Sequence, residues 1–183
     1  PRALADAALS PLAIGAIVFA SLAPADQDFD FFAGLSEDDI EGMRQMQASG
    51  MNMLPMFEQW AGSMEANPAD QVVDSDDPAS VAWSQSPDGQ FRLSQPAGLP
   101  FESGASGWLF DEISFVSPWG FNPATITKPV TIFHAEGDPN VPFAHGQWLH
   151  SKIAGNVLHP LQGKAHSAVF NVETVSQGLA SLV

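Results

Sequence analysis

Apolar positions along this chain fall into short continuous runs and into longer, spaced patterns. Residues 13–20 form an almost continuous apolar run, and shorter runs follow at 129–133 and 157–161. Runs of this length between turn-forming residues are typical of strands buried in a parallel sheet. The pattern therefore predicts about three strands.

Helical patterns lie between and around these runs. The Ala- and Leu-rich stretch Arg2–Leu9 predicts a helix that ends at Pro11. Ser36 precedes three acidic residues, which is typical of an N-cap and first turn, and predicts a helix running past Met46. Gly50 and the proline at position 55 predict shorter helices up to residue 66. Further helices are predicted at about 78–83, 106–116, 142–153 and 171–182.

Two polar stretches interrupt this pattern. Residues 67–77 are polar, and residues 84–100 are rich in Pro, Gly, Ser and Gln, which predicts a loop. The order of elements is a strand, a block of helices, and then strand, helix, strand and helix. This order is typical of an α/β protein in which parallel neighbours are joined by right-handed crossovers.

Composition narrows the class of protein further. A length of 183 residues allows one domain with a sizeable core, and 6 Lys and Arg against 21 Asp and Glu give a net charge of −15. Such a surface repels phosphate backbones, so we expect no nucleic-acid partner. Cysteine is absent, which excludes disulfides and thiolate metal sites.

The apolar start of the chain raises the question of a membrane segment. It carries Asp6, Pro11 and Gly15, and its longest apolar stretch, Leu12–Ala20, is shorter than the roughly 20 residues that cross a bilayer. We therefore expect no membrane span and a cytoplasmic protein, although a signal preceding this sequence would change that location.

Two strands in succession end in a residue suited to acid–base chemistry. Asp138 follows the strand at 129–133, and His166 follows the strand at 157–161. Carboxyl ends of parallel strands meet at one edge of a sheet, where α/β proteins place their sites. Alone, Asp138 in Gly-Asp-Pro-Asn is an ordinary turn residue and His166 an ordinary loop residue. Their order and positions favour a catalytic pair, in which Asp138 orients His166.

The segment 128–166 resembles the C-terminal part of α/β-hydrolases. The matching residues are Asp138 in H-A-E-G-D-P-N-V-P and His166 in G-K-A-H-S. The resemblance implies the C-terminal part of that family's parallel sheet with an inserted helical cap. It divides the chain into a core helix and strand at 1–23, the cap at 24–117, and the core with acid and His at 118–183. It also implies a Ser-Asp-His triad, in the family's chain order.

The nucleophile of such a triad is absent from this sequence. The pentapeptide G-x-S-x-G does not occur, and the nearest string, Ser103–Gly107, has the wrong spacing. We expect the nucleophile to precede Pro1, which makes this chain a C-terminal fragment that is inactive alone. Its partner would then be the missing N-terminal segment of the same protein.

The other histidines are assigned structural roles. His134 ends the strand before the acid and is expected to form a hydrogen bond in the loop. His145 and His150 lack the spacing of a helical metal pair, and His159 lies within a strand. A metal site built from His134, Asp138, His145 and His166 is conceivable but disfavoured, so neither metal nor cofactor is expected.

A cluster of methionines and aromatic residues suggests an apolar binding surface. All six Met residues lie between positions 43 and 64. Methionine adapts to irregular apolar ligands, but it packs equally well within a cap. The predicted substrate-binding residues are Met43, Met46, Phe57, Trp60 and Val141.

The function expected from the resemblance is hydrolysis of an ester or related acyl bond of a small apolar substrate. Two alternatives stay open. One is a non-catalytic interaction protein that keeps the fold, and the other is a dehalogenase, C–C hydrolase or peptidase on the same fold. The residue at the nucleophile position separates the first from the enzymes.

Overall fold

A parallel sheet of three strands forms the centre of the molecule. The computed structural model describes residues 1–66, 73, 77–94, 103–164 and 166–182. The strands are β1 (Ala16–Phe19), β2 (Val130–Ala135) and β3 (Val157–Leu161), in the order β1-β2-β3. Ala16 pairs with Val130, and Thr131 pairs with Val157. Every residue of the central strand β2 is buried, as both edges and both faces are covered.

Eight α-helices surround or adjoin this sheet within the described residues. They are α1 (Arg2–Leu9), α2 (Glu37–Ser49), α3 (Leu54–Ala66), α4 (Pro78–Ser84), α5 (Pro87–Leu93), α6 (Ser106–Val116), α7 (Phe143–Lys152) and α8 (Val172–Ala180). Short 3-10 turns lie at Gly50–Met53, Pro123–Thr125 and His166–Ala168. The predicted α/β class and the three parallel strands are confirmed.

The first strand is shorter than its apolar run predicted. Leu12 and Ile14 are 89% and 66% exposed, so the beginning of the run lies outside the sheet. Within β1, burial alternates: Ala16 and Val18 are buried, whereas Ile17 and Phe19 are half-buried. An edge strand covered unevenly on its two faces gives this alternation.

The helices follow the predicted caps, with one error. The Ser36 side chain accepts a hydrogen bond from the Asp39 amide at 3.1 Å and begins α2 as predicted. Helix α5 is the error, because it lies in the stretch 84–100 that was predicted to be loop. Ser86 caps it and Pro87 occupies its first turn, so the residues that suggested a turn are the start signals of a short helix. Residues 95–100, and most of the polar stretch 67–77, lie outside the described residues.

Packing on the two faces of the sheet holds the strand ends in place. Helices α1 and α7 cover one face, where Leu4, Leu149 and Ile153 join the core cluster. On the other face α8 approaches β1 closely, because Gly178 has no side chain: a Cβ there would lie 2.7 Å from the Ile17 side chain. Helices α3 and α6, with the turn Gly50–Met53, have a separate core, in which Phe57 is the largest fully buried side chain.

Candidate active site

Asp138 is fixed in the turn that follows β2. Its side chain is fully buried. Oδ1 accepts hydrogen bonds from the backbone N–H groups of Asn140 at 3.0 Å and Val141 at 2.9 Å. An ionised carboxylate only accepts hydrogen bonds, so these two donors leave its second oxygen to face another group. The turn residues Pro139 and Asn140 therefore serve to hold one carboxylate in one orientation.

His166 is the group that this carboxylate faces. Its Nδ1 lies 2.8 Å from Oδ2 and 3.1 Å from Oδ1 of Asp138. Nδ1 must be the donor because the carboxylate accepts, and in the neutral ring Nε2 is then unprotonated. The His166 side chain is 35% exposed, so an imidazole with a free basic nitrogen is open to the surroundings. The contact predicted between positions 138 and 166 is present.

His134 stabilises the turn that carries Asp138. The ring is completely buried, and Nε2 donates a hydrogen bond to the Val141 carbonyl at 2.8 Å. Burial lowers the pKa of His134, while the Val141 carbonyl and the Asp138 charge oppose that effect. Helix α7 comes so close that a Cβ on Gly146 would lie 2.5 Å from His134 Nδ1. The loop hydrogen bond predicted for His134 is thus present, and it braces Val141 and Asp138.

A second buried histidine ties the loop after β1 to the same region. His145 Nδ1 accepts a hydrogen bond from the Ala23 amide at 3.0 Å, across 122 residues of sequence. The rings of Phe29 and Phe31 lie edge-on to it at 5.0 and 5.2 Å. Burial is the main cause that lowers the pKa of His145 to about 4, and neighbouring His134 adds to it. The ring is therefore neutral at pH 7 and keeps its acceptor nitrogen.

Two pockets meet at His166. The larger, which we call the apolar pocket, has a volume of about 370 Å³, and His166 shares its wall with Ser21, Leu22, Phe115 and Val141. The smaller, which we call the Arg92 pocket, has a volume of about 270 Å³. His166 lines it together with Trp83, Arg92, Ser167 and Phe170. Phe19 and Ala20 line both pockets, so the end of β1 separates them.

The end of β1 contains features that sequence reasoning missed. Ala20 adopts a φ of 43°, a left-handed conformation that is uncommon for a residue with a side chain. Its amide still bonds to the Phe133 carbonyl at 2.8 Å, so the turn of the chain comes immediately after the sheet. Ser21, the next residue, is 8% exposed and lines the apolar pocket. The strand-end rule that identified Asp138 and His166 also points to Ser21.

Only one of the predicted substrate-binding residues lines a pocket beside His166. That residue is Val141. Met43 and Met46 pack against the core cluster that includes Val141 and line neither pocket. Phe57 and Trp60 belong to a different aromatic group, with ring centroids 5.0 Å apart. A substrate-binding role for these four residues stays a prediction.

Neither a metal cluster nor a membrane helix is present in the described part of the chain. Across the described ranges, no three His, Asp or Glu side chains are grouped so that they could hold a metal ion. None of the helices in those ranges is both long and apolar enough to cross a bilayer. Ser106, from the string nearest to G-x-S-x-G, begins α6 and is exposed, and it lines neither pocket.

Known proteins resemble this chain in fold. No protein-family model matches the chain, and no curated protein matches it. A protein from Mycobacterium tuberculosis H37Rv described as a non-heme bromoperoxidase, BpoC, is 14% identical. It has a TM-score of 0.50, and the match covers 97% of this chain and 62% of that one.

Two further solved structures resemble the chain. A bromoperoxidase from Bacillus anthracis is 16% identical with a TM-score of 0.49, over 92% of this chain and 57% of its own. An esterase from Exiguobacterium antarcticum is 16% identical with a TM-score of 0.49, over 91% and 55%. The chain thus spans 55–62% of the length of these structures.

The Mycobacterium tuberculosis structure has the α/β-hydrolase fold. The present chain has a part of that fold, with a three-stranded parallel sheet and several helices. The predicted resemblance is confirmed at the level of the fold.

Proposed function

We propose that this chain is the C-terminal part of a serine hydrolase that cleaves an ester, or a related acyl bond, of a small apolar substrate. The observation that carries the proposal is the hydrogen bond between Asp138 and His166 at the wall of the apolar pocket. A buried carboxylate that orients a partly exposed imidazole is two thirds of a hydrolytic triad. The esterase among the structural neighbours is consistent with this chemistry.

Each side chain would have a definite task in the reaction. His166 Nε2 would take the proton of a serine hydroxyl as that oxygen attacks the acyl carbon, and would then give it to the leaving group. Asp138 would keep the Nδ1 proton in place and stabilise the imidazolium that forms. The apolar pocket would hold the hydrocarbon part of the substrate.

The serine would come from a segment of the same protein that is outside this sequence. Two observations support this. Pro1 lies in the wall of the apolar pocket, so a segment joined to it would begin beside His166. Within the described residues β1 pairs only with β2, and its other edge can accept a further parallel strand. We also propose the division into core (1–23), helical cap (24–117) and core (118–183), since Phe115 of α6 lines the pocket together with His166 of the core.

The test uses the longer protein that contains this sequence and measures hydrolysis of p-nitrophenyl butyrate. His166→Ala is expected to lower kcat by 10³-fold or more, because a triad acts as a unit. His150→Ala is the matched control, since that histidine is exposed on α7 and lines neither pocket. It should retain the rate of the unchanged protein.

Two outcomes would overturn the proposal. If His166→Ala keeps more than half of the rate, the imidazole is not the base. If the unchanged protein hydrolyses no ester and the residue at its strand-to-helix turn is not a nucleophile, the fold serves a non-catalytic role. An Asp at that turn would instead indicate a dehalogenase.

A further inference from the structure

The Arg92 pocket differs chemically from the apolar pocket on the other side of His166. Arg92 lies in the last turn of helix α5 and lines the pocket wall together with His166, Ser167 and Trp83. The apolar pocket, by contrast, is lined by the aliphatic and aromatic side chains of Leu22, Phe115 and Val141. A molecule reacting at His166 therefore meets hydrocarbon on one side and a cation on the other.

The guanidinium of Arg92 contacts an aromatic ring. Its central carbon lies 5.4 Å from the centroid of the Phe170 ring, a cation–π contact. Among the described side chains, no carboxylate comes within ion-pair distance of Arg92. Asp88, one helical turn earlier on α5, is not within ion-pair distance of Arg92 either. The planar set of N–H donors of Arg92, which can pair with a carboxylate, is therefore not occupied by any described acidic side chain beside His166.

The strong negative charge of the whole chain makes an arginine beside the site significant for binding an anion. A net charge of −15 repels anions from most of the surface. An anionic substrate could approach the site only where a local cation offsets that repulsion. An arginine on the wall of the site supplies such a cation, and its planar fork pairs with a carboxylate through two hydrogen bonds.

We propose that the Arg92 pocket binds a free carboxylate on the substrate, so that the enzyme prefers monoesters of dicarboxylic acids. The apolar leaving group would occupy the apolar pocket, and the carboxylate of the acyl chain would pair with Arg92. This inference rests on the proposed hydrolase function and makes its substrate class more specific: the apolar part is the leaving group, and the acyl chain carries a carboxylate. It involves binding alone and adds no step to the reaction.

The experiment compares two esters in the longer protein. One is the mono-p-nitrophenyl ester of glutaric acid, and the other is the same compound with its free carboxyl methylated. The measured quantity is the ratio of kcat/KM for the anionic ester to kcat/KM for the neutral ester. Succinic and adipic analogues vary the length of the acyl chain and so the reach to Arg92.

Substitution of the arginine tests the assignment. Arg92→Gln is expected to lower the ratio at the best chain length by about tenfold or more, the effect of losing a charged hydrogen-bonded pair. Arg92→Lys should restore part of it, because the charge stays and the fork is lost. Arg44→Gln is the matched control, since Arg44 lies over the Phe32 ring at 5.5 Å but lines neither pocket.

The outcomes separate the two proposals. If no ester is hydrolysed, the hydrolase function itself fails. If both esters are hydrolysed and His166→Ala stops both, the function stands. In that case, a ratio that Arg92→Gln leaves within twofold at every chain length overturns the carboxylate subsite. An equal effect of Arg44→Gln would also overturn it, because it would indicate general charge rather than a site.

Discussion

The turns after β2 and β3 carry the two members of the candidate catalytic pair, and they are built differently. The first buries Asp138 completely and holds it through two backbone donors, with His134 beneath. The second leaves His166 35% exposed, and the Asp138 carboxylate is its side-chain partner. The acid is held by its own turn, whereas the imidazole is held by the acid.

Because of this difference, the orienting group, Asp138, is rigid, and the reacting group, His166, is accessible to a substrate. A carboxylate fixed by backbone amides cannot follow the imidazole, so it selects one ring orientation. An imidazole with one side in solvent can exchange protons with a substrate. The comparison predicts that damage to the first turn costs both stability and activity, and damage to the second costs mainly activity.

The largest effect is expected from Asp138. Asp138→Ala leaves the amides of Asn140 and Val141 without their acceptor, which should cost about 2–4 kcal/mol of unfolding free energy. Asp138→Asn keeps an acceptor for them, so it should cost less than half as much. It should still lower kcat roughly 10³- to 10⁴-fold, because it favours the wrong tautomer of His166. Urea unfolding and p-nitrophenyl butyrate hydrolysis measure the two effects.

His166→Ala provides the contrast within the same assays. It should destabilise the protein less than Asp138→Ala does, while lowering kcat by a similar factor. Equal losses of stability in the two alanine variants would contradict the claim that Asp138 is held by its own turn and His166 is held by Asp138.

The second effect concerns pH and His145, the buried histidine that accepts a hydrogen bond from the loop after β1. The pKa of His145 falls from 6.5 when unfolded to about 4 when folded. Because the folded state resists protonation, the stabilisation is fully present above about pH 6.5 and is lost as pH falls toward 4. The loss is on the order of 3 kcal/mol. The unfolding free energy, measured between pH 7 and 4, should show it.

A substitution isolates this contribution from those of the many carboxylates. His145→Gln keeps a side-chain acceptor for the Ala23 amide but does not titrate, so its unfolding free energy should fall less across this range. His150→Gln, at an exposed position on the same helix, should leave the curve of the unchanged protein as it is. Parallel curves for His145→Gln and the unchanged protein would refute the assignment.

The smallest effect is expected at the helix that follows His166. Asn171 caps α8 by accepting from the Thr174 amide at 3.1 Å, and it donates to the Ala168 carbonyl at 2.8 Å in the His166–Ala168 turn. Asn171→Ala should cost about 1 kcal/mol of unfolding free energy, the usual value of an N-cap. It should also lower kcat a few-fold, since the turn that carries His166 loses a support.

Asn122→Ala is the matched control for that prediction. Asn122 accepts from the Ala124 amide at 3.0 Å and begins another 3-10 turn, away from both pockets. It should lower stability without changing kcat. A drop in kcat as large as that for Asn171→Ala would show that the loss reflects general destabilisation.

The sequence predicted the region around the acid and the histidine well, for a local reason. A continuous apolar run, a turn rich in Gly and Pro and a capped helix each depend on neighbouring residues. The bounds of α7 and β3 therefore followed from residues 142–161 almost as predicted. The helix α5 was missed because Ser86 and Pro87 are signals both for a loop and for the start of a helix.

The pocket walls depend on contacts that no local pattern contains. Ser21, Phe115 and Arg92 come from three distant parts of the chain and meet around His166. The methionine-rich segment had the right composition for a binding surface, yet Val141 is the predicted residue that reaches the wall. Which apolar residue faces a cavity is set by how the helices pack, since apolar side chains of similar volume can occupy a core position or a cavity wall.

By itself the sequence determined the α/β class, the three strands, and the two polar residues that end β2 and β3. Tertiary structure decided that Asp138 and His166 are 2.8 Å apart, that His134 and His145 are buried beneath them, and that Arg92 lies on one side. The physical reason is the distance along the sequence over which each effect acts. Periodicity and turn chemistry act over a few residues, whereas burial and charge pairing depend on neighbours brought together from more than a hundred residues away, as Ala23 and His145 are.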